Sequence, residues 1–384
     1  MNFEKWVSVW GNATSIAERR AENYSKNLTL RYPIPMVFDG DAIRVTLSNF
    51  CGTEAVTIAK VTVAWGAGDR GIVPGTLRQV TFQKHAGVTL QPGEDQVSDP
   101  VSMNIRAGQP VAVSLYLKDF TEMRSAVLTT GPLSKGFFSV GDCTESQVLP
   151  LDDTRGTNWF YFLNQVDVHT ERENRGIICY GDSITSQAWP DDLVLRINAL
   201  EKKHTAVIRR AVSGTRILHQ YHNLIYESYG LKGSVRFRRE MESVQGADTV
   251  IIQHGINDII HPVGAEVNPW RPWSDLPSSQ ELIDGLRMYI EIARELGLKV
   301  YIGTLLPIYG WRTYVPFRDD IRNAVNHWIR TTDEIDGYID FDAILRNPNR
   351  PEAFAPGFDS GDHLHPSAKA YEAMAEAVPE ELLR

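Results

Sequence analysis

The chain has 384 residues, 42% of them hydrophobic and 23% charged, with a formal net charge of -9. That length suits two domains, each able to bury its own core, and the composition excludes a disordered or fibrous chain. The acidic balance argues against a nucleic-acid partner, because phosphates must be neutralised by Lys and Arg.

The opening segment MNFEKWVSVWGNATSIAERRAENYS carries Glu4, Lys5, Glu18, Arg19 and Arg20 and no continuous apolar run, so it does not read as a secretory leader. No apolar run approaches membrane-spanning length. Cys51, Cys143 and Cys179 are too few and too scattered for a disulfide framework or a zinc site. A cytoplasmic protein without a membrane partner is the expectation.

From about residue 40 to 168 apolar residues alternate: Ile43, Val45 and Leu47; Val61, Val63 and Trp65; Val111, Val113, Leu115 and Leu117. Period two predicts strands with one buried face. Turn signals such as QPGED (91–95) and RAGQP (106–110) separate them, and nothing between has helical period, so an all-β sandwich over residues 1–172 is expected. GAGDRG (66–71) has the dinucleotide-binding spacing, but IVPGT follows with no helix to receive a pyrophosphate. Trp6, Trp10, Trp65 and Trp159 are candidates for sugar stacking, with burial in the core the expected alternative.

After ERENR (171–175) short apolar strands alternate with amphipathic helices, which predicts an α/β domain over 173–384 with a parallel, flavodoxin-like sheet flanked by helices. The strands are GIICY (176–180), TAVI (205–208), DTVIIQ (248–253), LKVYIGTLL (298–306) and GYIDF (337–341). A helix is expected over Trp189–Leu200. SSQELIDGLRMYIEIARELG reads as another, with a capping box at Ser278 and Glu281 and an ending at Gly297. RFRRE (236–240) is expected to be a solvated helix face. The C-terminal helix is expected to open with Pro366 at its first position.

In such a sheet the working residues collect at the carboxyl ends of the strands. There the chain places Gly181, Asp182 and Ser183; Gly214; Gly255, Asn257 and Asp258; and, near the end, Asp362 and His365. A hydroxyl needs an imidazole to take its proton, the imidazole needs an acceptor to fix its tautomer, and a tetrahedral intermediate needs donors for its oxyanion. These residues supply that set.

GDSIT (181–185), AVSGTR (211–216), GIND (255–258) and DHLHP (362–366) resemble the motif blocks of the SGNH (GDSL) hydrolase superfamily, in the family's order. RVTLSNFCGTE and GTLRQVTF in the first half also look like the β-domain that precedes the catalytic domain in a group of bacterial GDSL esterases. The resemblance implies a serine esterase without cofactor or metal. Ser183 would be the nucleophile, His365 the base and Asp362 its partner, with Ser183, Gly214 and Asn257 as oxyanion donors. Short-acyl esters, foremost O-acetyl groups on carbohydrate, are the implied substrates, with longer-chain, lipase-like hydrolysis as the alternative. Arg209 and Arg210 depart from the pattern, since many members carry small polar residues ahead of the second block. That leaves the chemistry of the local pocket open.

Three further readings stand beside this. Asp362, His363 and His365, with His254, could instead ligate a metal in a metal-dependent hydrolase. The chain could bind carbohydrate without catalysis. Asp182 reads chiefly as a cap of the turn, and it is kept with Trp270 and Trp273 as a candidate substrate-binding residue. The two tryptophans lie in HPVGAEVNPWRPWSDLPSS (261–279), a loop long enough to wall a pocket after GIND. His219, His222, His261 and His327 are expected to be surface or packed residues, and Cys179 an inert core thiol. With His365 as base, activity should rise with pH through histidine's usual range.

Overall fold

The computed structural model describes residues 3–18, 23–202 and 204–384, so Arg19 and Arg20 of the opening segment lie outside it. The chain divides into two compact units. One comprises Met1–Gly176 with Asn198–Ile208 and Val244–Gly246; the other comprises Ile177–Ile197, Arg209–Ser243 and Ala247–Arg384.

The first unit is all-β, built mainly from two antiparallel sheets. In one, Leu163–Glu171 lies between Phe3–Gly11 and Gly40–Ser48. In the other, Val111–Leu117 lies between Leu28–Ile34 and Lys60–Ala67, with Val113 opposite both Tyr32 and Val63. Ile43, Val45 and Leu47 fill a buried face as the alternation predicts. The central strand Val111–Leu117 departs from the one-face pattern, because Ala112 and Ser114 on its other side are buried too. Arg31 explains this. Its fully buried guanidinium donates to Ser114 Oγ at 2.9 Å and to the carbonyls of Arg70, Ser146, Cys143 and Thr144 at 2.9–3.2 Å, strapping a loop over that face. Trp6, Trp10, Trp65 and Trp159 are half-buried rather than core residues. Arg44 covers the Trp6 ring at 4.5 Å and Arg106 covers Trp65 at 5.8 Å.

The α/β fold lies mainly in the second unit, with Arg175–Gly176 and Thr205–Ile208 of its sheet grouped with the first. The strands are β1 (Arg175–Gly181), β2 (Thr205–Ala211), β3 (Ala247–Gln253), β4 (Lys299–Gly303) and β5 (Gly337–Ile339), in the order β2-β1-β3-β4-β5. β3 runs parallel to β4 and β4 to β5, with Ile252 opposite Ile302 and Ile302 opposite Tyr338. β1 and β2 are buried along their whole length, as near-continuous apolar runs in a covered parallel sheet should be. The chain leaves β1 toward one edge and returns on its other side at β3, so the crevice of this fold opens at their carboxyl ends.

The flanking helices include α1 (Trp189–Ala199), α2 (Gly233–Glu242), α3 (Ser279–Glu295), α4 (Pro316–Thr331) and α5 (Ala368–Ala377). The α3 capping box forms as read, with Glu281 N donating to Ser278 Oγ and Ser278 N to Glu281.

Three expectations need correction. β4 stops at Gly303 rather than running to Leu306, because the Asn326 side chain accepts from Leu305 N at 2.7 Å and donates to Leu305 O at 2.8 Å, taking over both backbone groups. α5 begins after Ser367, whose hydroxyl accepts from Ala370 N, while Pro366 precedes the cap in a β-bridge with Asp359. RFRRE is not a solvated face: Arg236 and Glu240 are buried and ion-paired at 2.5 Å, and Arg236 also donates to Gly181 O at 2.9 Å beneath β1. Among the described residues no helix is long and apolar enough to cross a membrane.

Candidate active site

At the end of β1 the chain turns sharply. A Cβ on Gly181 would sit 2.3 Å from the Gln253 carbonyl, so only glycine lets β1 and β3 approach this closely. Asp182 Oδ1 then accepts the Ile184 amide at 3.0 Å and caps the short helix Ser183–Ser186. Its side chain is fully buried, which corrects the expectation of a substrate contact: it shapes the turn from below.

Burial, opposed by the Ile184 amide and reinforced by Asp258, lifts the Asp182 carboxyl to about 7. A carboxyl raised above its unfolded value of about 3.9 contributes stability below that value and loses it as pH rises through about 7. Asp182→Asn keeps a carbonyl acceptor for the cap and removes the buried charge. The variant should therefore melt a few degrees higher than wild type at pH 8, each pKa unit being worth about 1.4 kcal/mol, and the gain should shrink toward pH 4. Calorimetry at the two pH values checks this; a variant that melts below wild type at pH 8 but not at pH 4 would show that the charge itself is used.

Ser183 is half-buried, so its hydroxyl is reachable. Its Oγ lies 2.8 Å from His365 Nε2, and His365 Nδ1 lies 2.6 Å from Asp362 Oδ2. The other carboxylate oxygen, Oδ1, accepts from the amides of Leu364 and His365 at 2.9 and 2.8 Å and from Ser360 Oγ at 3.1 Å. Burial pushes the Asp362 carboxyl up, but the hydrogen bonds from His365 and the two amides outweigh it and bring the group to about 2. Asp362 is thus ionised near neutral pH and can only accept. The ring proton must sit on Nδ1, which leaves the Nε2 lone pair facing the Ser183 hydroxyl.

The second block forms a turn against the first. Gly214 has φ +79°, and a Cβ there would lie 2.3 Å from the Tyr229 ring, so both backbone sign and space demand glycine. Ser213 Oγ meets Ser186 Oγ at 2.9 Å, tying this turn to the helix that starts at Ser183. Asn257 is buried and donates one amide hydrogen to Thr215 O at 3.1 Å, leaving the other for a ligand. Asp258, fully buried, accepts from the amides of Ile217 and Leu218 at 2.8 and 3.0 Å. Burial raises its carboxyl to about 6 against those two amides. The third block thus grips the second at Thr215 and at Ile217–Leu218.

His254 belongs to the same scaffold. Burial foremost, with Arg236 adding to it, pushes its imidazole down to about 3. The neutral ring donates from Nε2 to Thr215 O at 3.2 Å and accepts at Nδ1 from Tyr289 OH at 3.1 Å. His363 Nδ1 is paired with Asp359 Oδ2 at 2.5 Å, not with Asp362. The residues of the metal reading are therefore each committed elsewhere, and among the described residues no group of three or more His, Cys, Asp or Glu is placed to hold an ion.

Arg209 and Arg210 turn away from the site: Arg209 pairs with Asp191 of α1 at 2.5 Å, and Arg210 donates to Ser243 Oγ at 3.3 Å. Cys179 is fully buried, and burial lifts its thiol well above the ordinary range. His261 is buried and stacked on Tyr229 at 5.4 Å, whereas His327 is exposed. Trp270 and Trp273 are 48% and 46% exposed. Trp270 lines a cavity together with Tyr221, His219 and His222. Trp273 donates to Glu266 at 3.1 Å and lies under the Arg318 guanidinium at 5.3 Å.

Tyr229, Ser360 and the grip of Asp258 escape a reading by motif. The three tyrosines of YHNLIYESYG (221–230), in a stretch without period, are the signal that could have pointed to Tyr229.

A family model described as the GDSL-like Lipase/Acylhydrolase family matches residues 179–373. No curated protein matches the chain. Among solved structures, a GDSL-like lipase from Bacteroides thetaiotaomicron is 18% identical, with 56% of this chain and 90% of that one covered and a TM-score of 0.39. An acetyl xylan esterase variant from Geobacillus stearothermophilus is 17% identical, with 53% and 92% covered and a TM-score of 0.40.

Proposed function

Because the chain belongs to the GDSL-like lipase/acylhydrolase family and is a carboxylic ester hydrolase, we propose that it is a serine esterase acting on short-acyl esters, foremost O-acetyl groups on carbohydrate. The observation that carries this reading is the hydrogen-bonded chain from Ser183 through His365 to Asp362.

In this mechanism Ser183 Oγ attacks the ester carbonyl as its proton passes to His365 Nε2. The ionised Asp362 stabilises the imidazolium that forms. The oxyanion accepts from the amides of Ser183 and Gly214 and from the free N–H of Asn257. His365 then returns the proton to the departing alcohol, and the acyl-serine is cleaved by water activated at the same Nε2.

The crowding beside Gly214 supports a small acyl group. Tyr229 sits on the glycine and packs with Tyr221 at 5.6 Å and Tyr226 at 5.5 Å, so a long chain would have to displace aromatic rings. A series of p-nitrophenyl esters, run beside acetylated oligosaccharides with acetate release measured, tests the assignment. The expected result is a kcat/KM for acetyl at least about tenfold above that for octanoyl. A preference for octanoyl would overturn the short-acyl assignment in favour of lipase-like hydrolysis.

A further inference from the structure

Four residues past Gly214 the chain begins one wall of a cavity of about 510 Å³, within the range of about 300–1,000 Å³ usual for small-ligand sites. The wall is continuous with the candidate active site. Its first residue, Leu218, is held by Asp258, and its Tyr221 packs on the Tyr229 that covers Gly214.

The polar groups of this wall are unbalanced. Asn223 Oδ1 accepts from the amides of Ile225 and Tyr226 at 3.0 and 3.1 Å, which fixes the orientation of the side chain, and its buried Nδ2 has no partner among the described residues. The Tyr221 hydroxyl, on a residue only 8% exposed, has none either. Lys232 Nζ donates to Leu218 O at 3.1 Å, and no carboxylate among the described residues pairs with it. Among the described residues Asp275 is the one acid lining the cavity, and it is engaged by Arg216 at 3.0 Å. What remains is an ammonium and two unspent polar groups beside the half-exposed face of Trp270. Although the chain as a whole is acidic, solvent screens charge beyond about 8 Å, so the local excess of donors governs what binds.

A neutral sugar hydroxyl offers donor and acceptor alike, whereas a carboxylate only accepts, and an aromatic face suits the C–H face of a pyranose. We propose that this cavity is a subsite for a carboxylate-bearing sugar residue, a uronic acid, of the glycan that carries the ester. The Lys232 ammonium pairs with the carboxylate, Asn223 Nδ2 and the Tyr221 hydroxyl bind the ring oxygens, and Trp270 stacks on the ring. This rests on the carbohydrate-ester reading above.

The test compares KM for acetylated oligouronides and acetylated neutral xylo-oligosaccharides, with p-nitrophenyl acetate hydrolysis as a separate measure of the esterase itself. Wild type should show about a tenfold lower KM for the acidic substrate, weakening with added salt. Lys232→Gln should bring the ratio near one, and Lys232→Arg should keep it. In parallel, methyl glucuronoside should quench tryptophan fluorescence at lower concentration than methyl glucoside, and Trp270→Phe should reduce the quench. Loss of p-nitrophenyl acetate hydrolysis would count against the esterase reading, leaving the glucuronoside titration to decide the subsite. Equal KM values, or a preference that survives Lys232→Gln, would overturn the subsite while the esterase stands.

Discussion

Replacing Ser183 with alanine is expected to remove on the order of 10⁶ of kcat on p-nitrophenyl acetate, the usual cost of deleting the nucleophile from a set that works as a unit. What survives should be the small rate that oxyanion donors and binding supply alone. The fold should hold, because the turn is set by Gly181 and by the Asp182 cap on Ile184, while the Ser183 hydroxyl is bonded to His365. Melting should therefore stay within about 0.5 kcal/mol of wild type, as for other partly exposed substitutions. An organophosphorus probe should label wild type once, at Ser183, and leave the variant unmarked. A variant that keeps more than about a thousandth of wild-type turnover, or an adduct mapped to another residue, would end the assignment of Ser183.

Much of this site was legible because its determinants are local. GDSIT, GIND and the capping box at Ser278 each act within a few residues, so spacing along the chain reports on geometry in space. The five strands were legible for a similar reason, each being a short apolar run with turn signals at its ends. What escaped depends on partners remote in sequence. Arg236 reads as a surface charge in RFRRE, yet it is buried because a helix brings it under Gly181 O, 55 residues away. Nothing around Arg31 announces its burial either, because the carbonyls that hold it belong to a loop more than a hundred residues later. Tyr229 lies in a stretch with no period, and only the turn at Gly214 gives its ring a place. The LKVYIGTLL run ended early for the same reason, since nothing in those residues announces that Asn326 will satisfy Leu305.

The second large effect is expected at Asp362, and it follows from how its two oxygens are divided. Oδ1 accepts from two backbone amides and from Ser360, so in Asp362→Asn the carbonyl oxygen must remain there, where only an acceptor fits. The new NH₂ group is then forced onto the His365 side, facing Nδ1. A donor in that position requires Nδ1 to be the unprotonated nitrogen, which moves the ring proton to Nε2 and turns it toward Ser183. The imidazole can no longer take the serine proton, although no atom of the site has moved. The expected cost is about 10⁴ in kcat with KM little changed, because the ground-state ester does not use the proton and the transition state does. Asp362→Ala should be less damaging to the tautomer than Asp362→Asn, since it removes the acceptor without installing a donor, although it also frees the loop that Oδ1 ties. Kinetics of the two variants, with the imidazole protons followed by NMR, separate these effects. An asparagine variant that keeps its Nδ1 proton and more than about a tenth of wild-type kcat would show that Asp362 does not set the tautomer of His365.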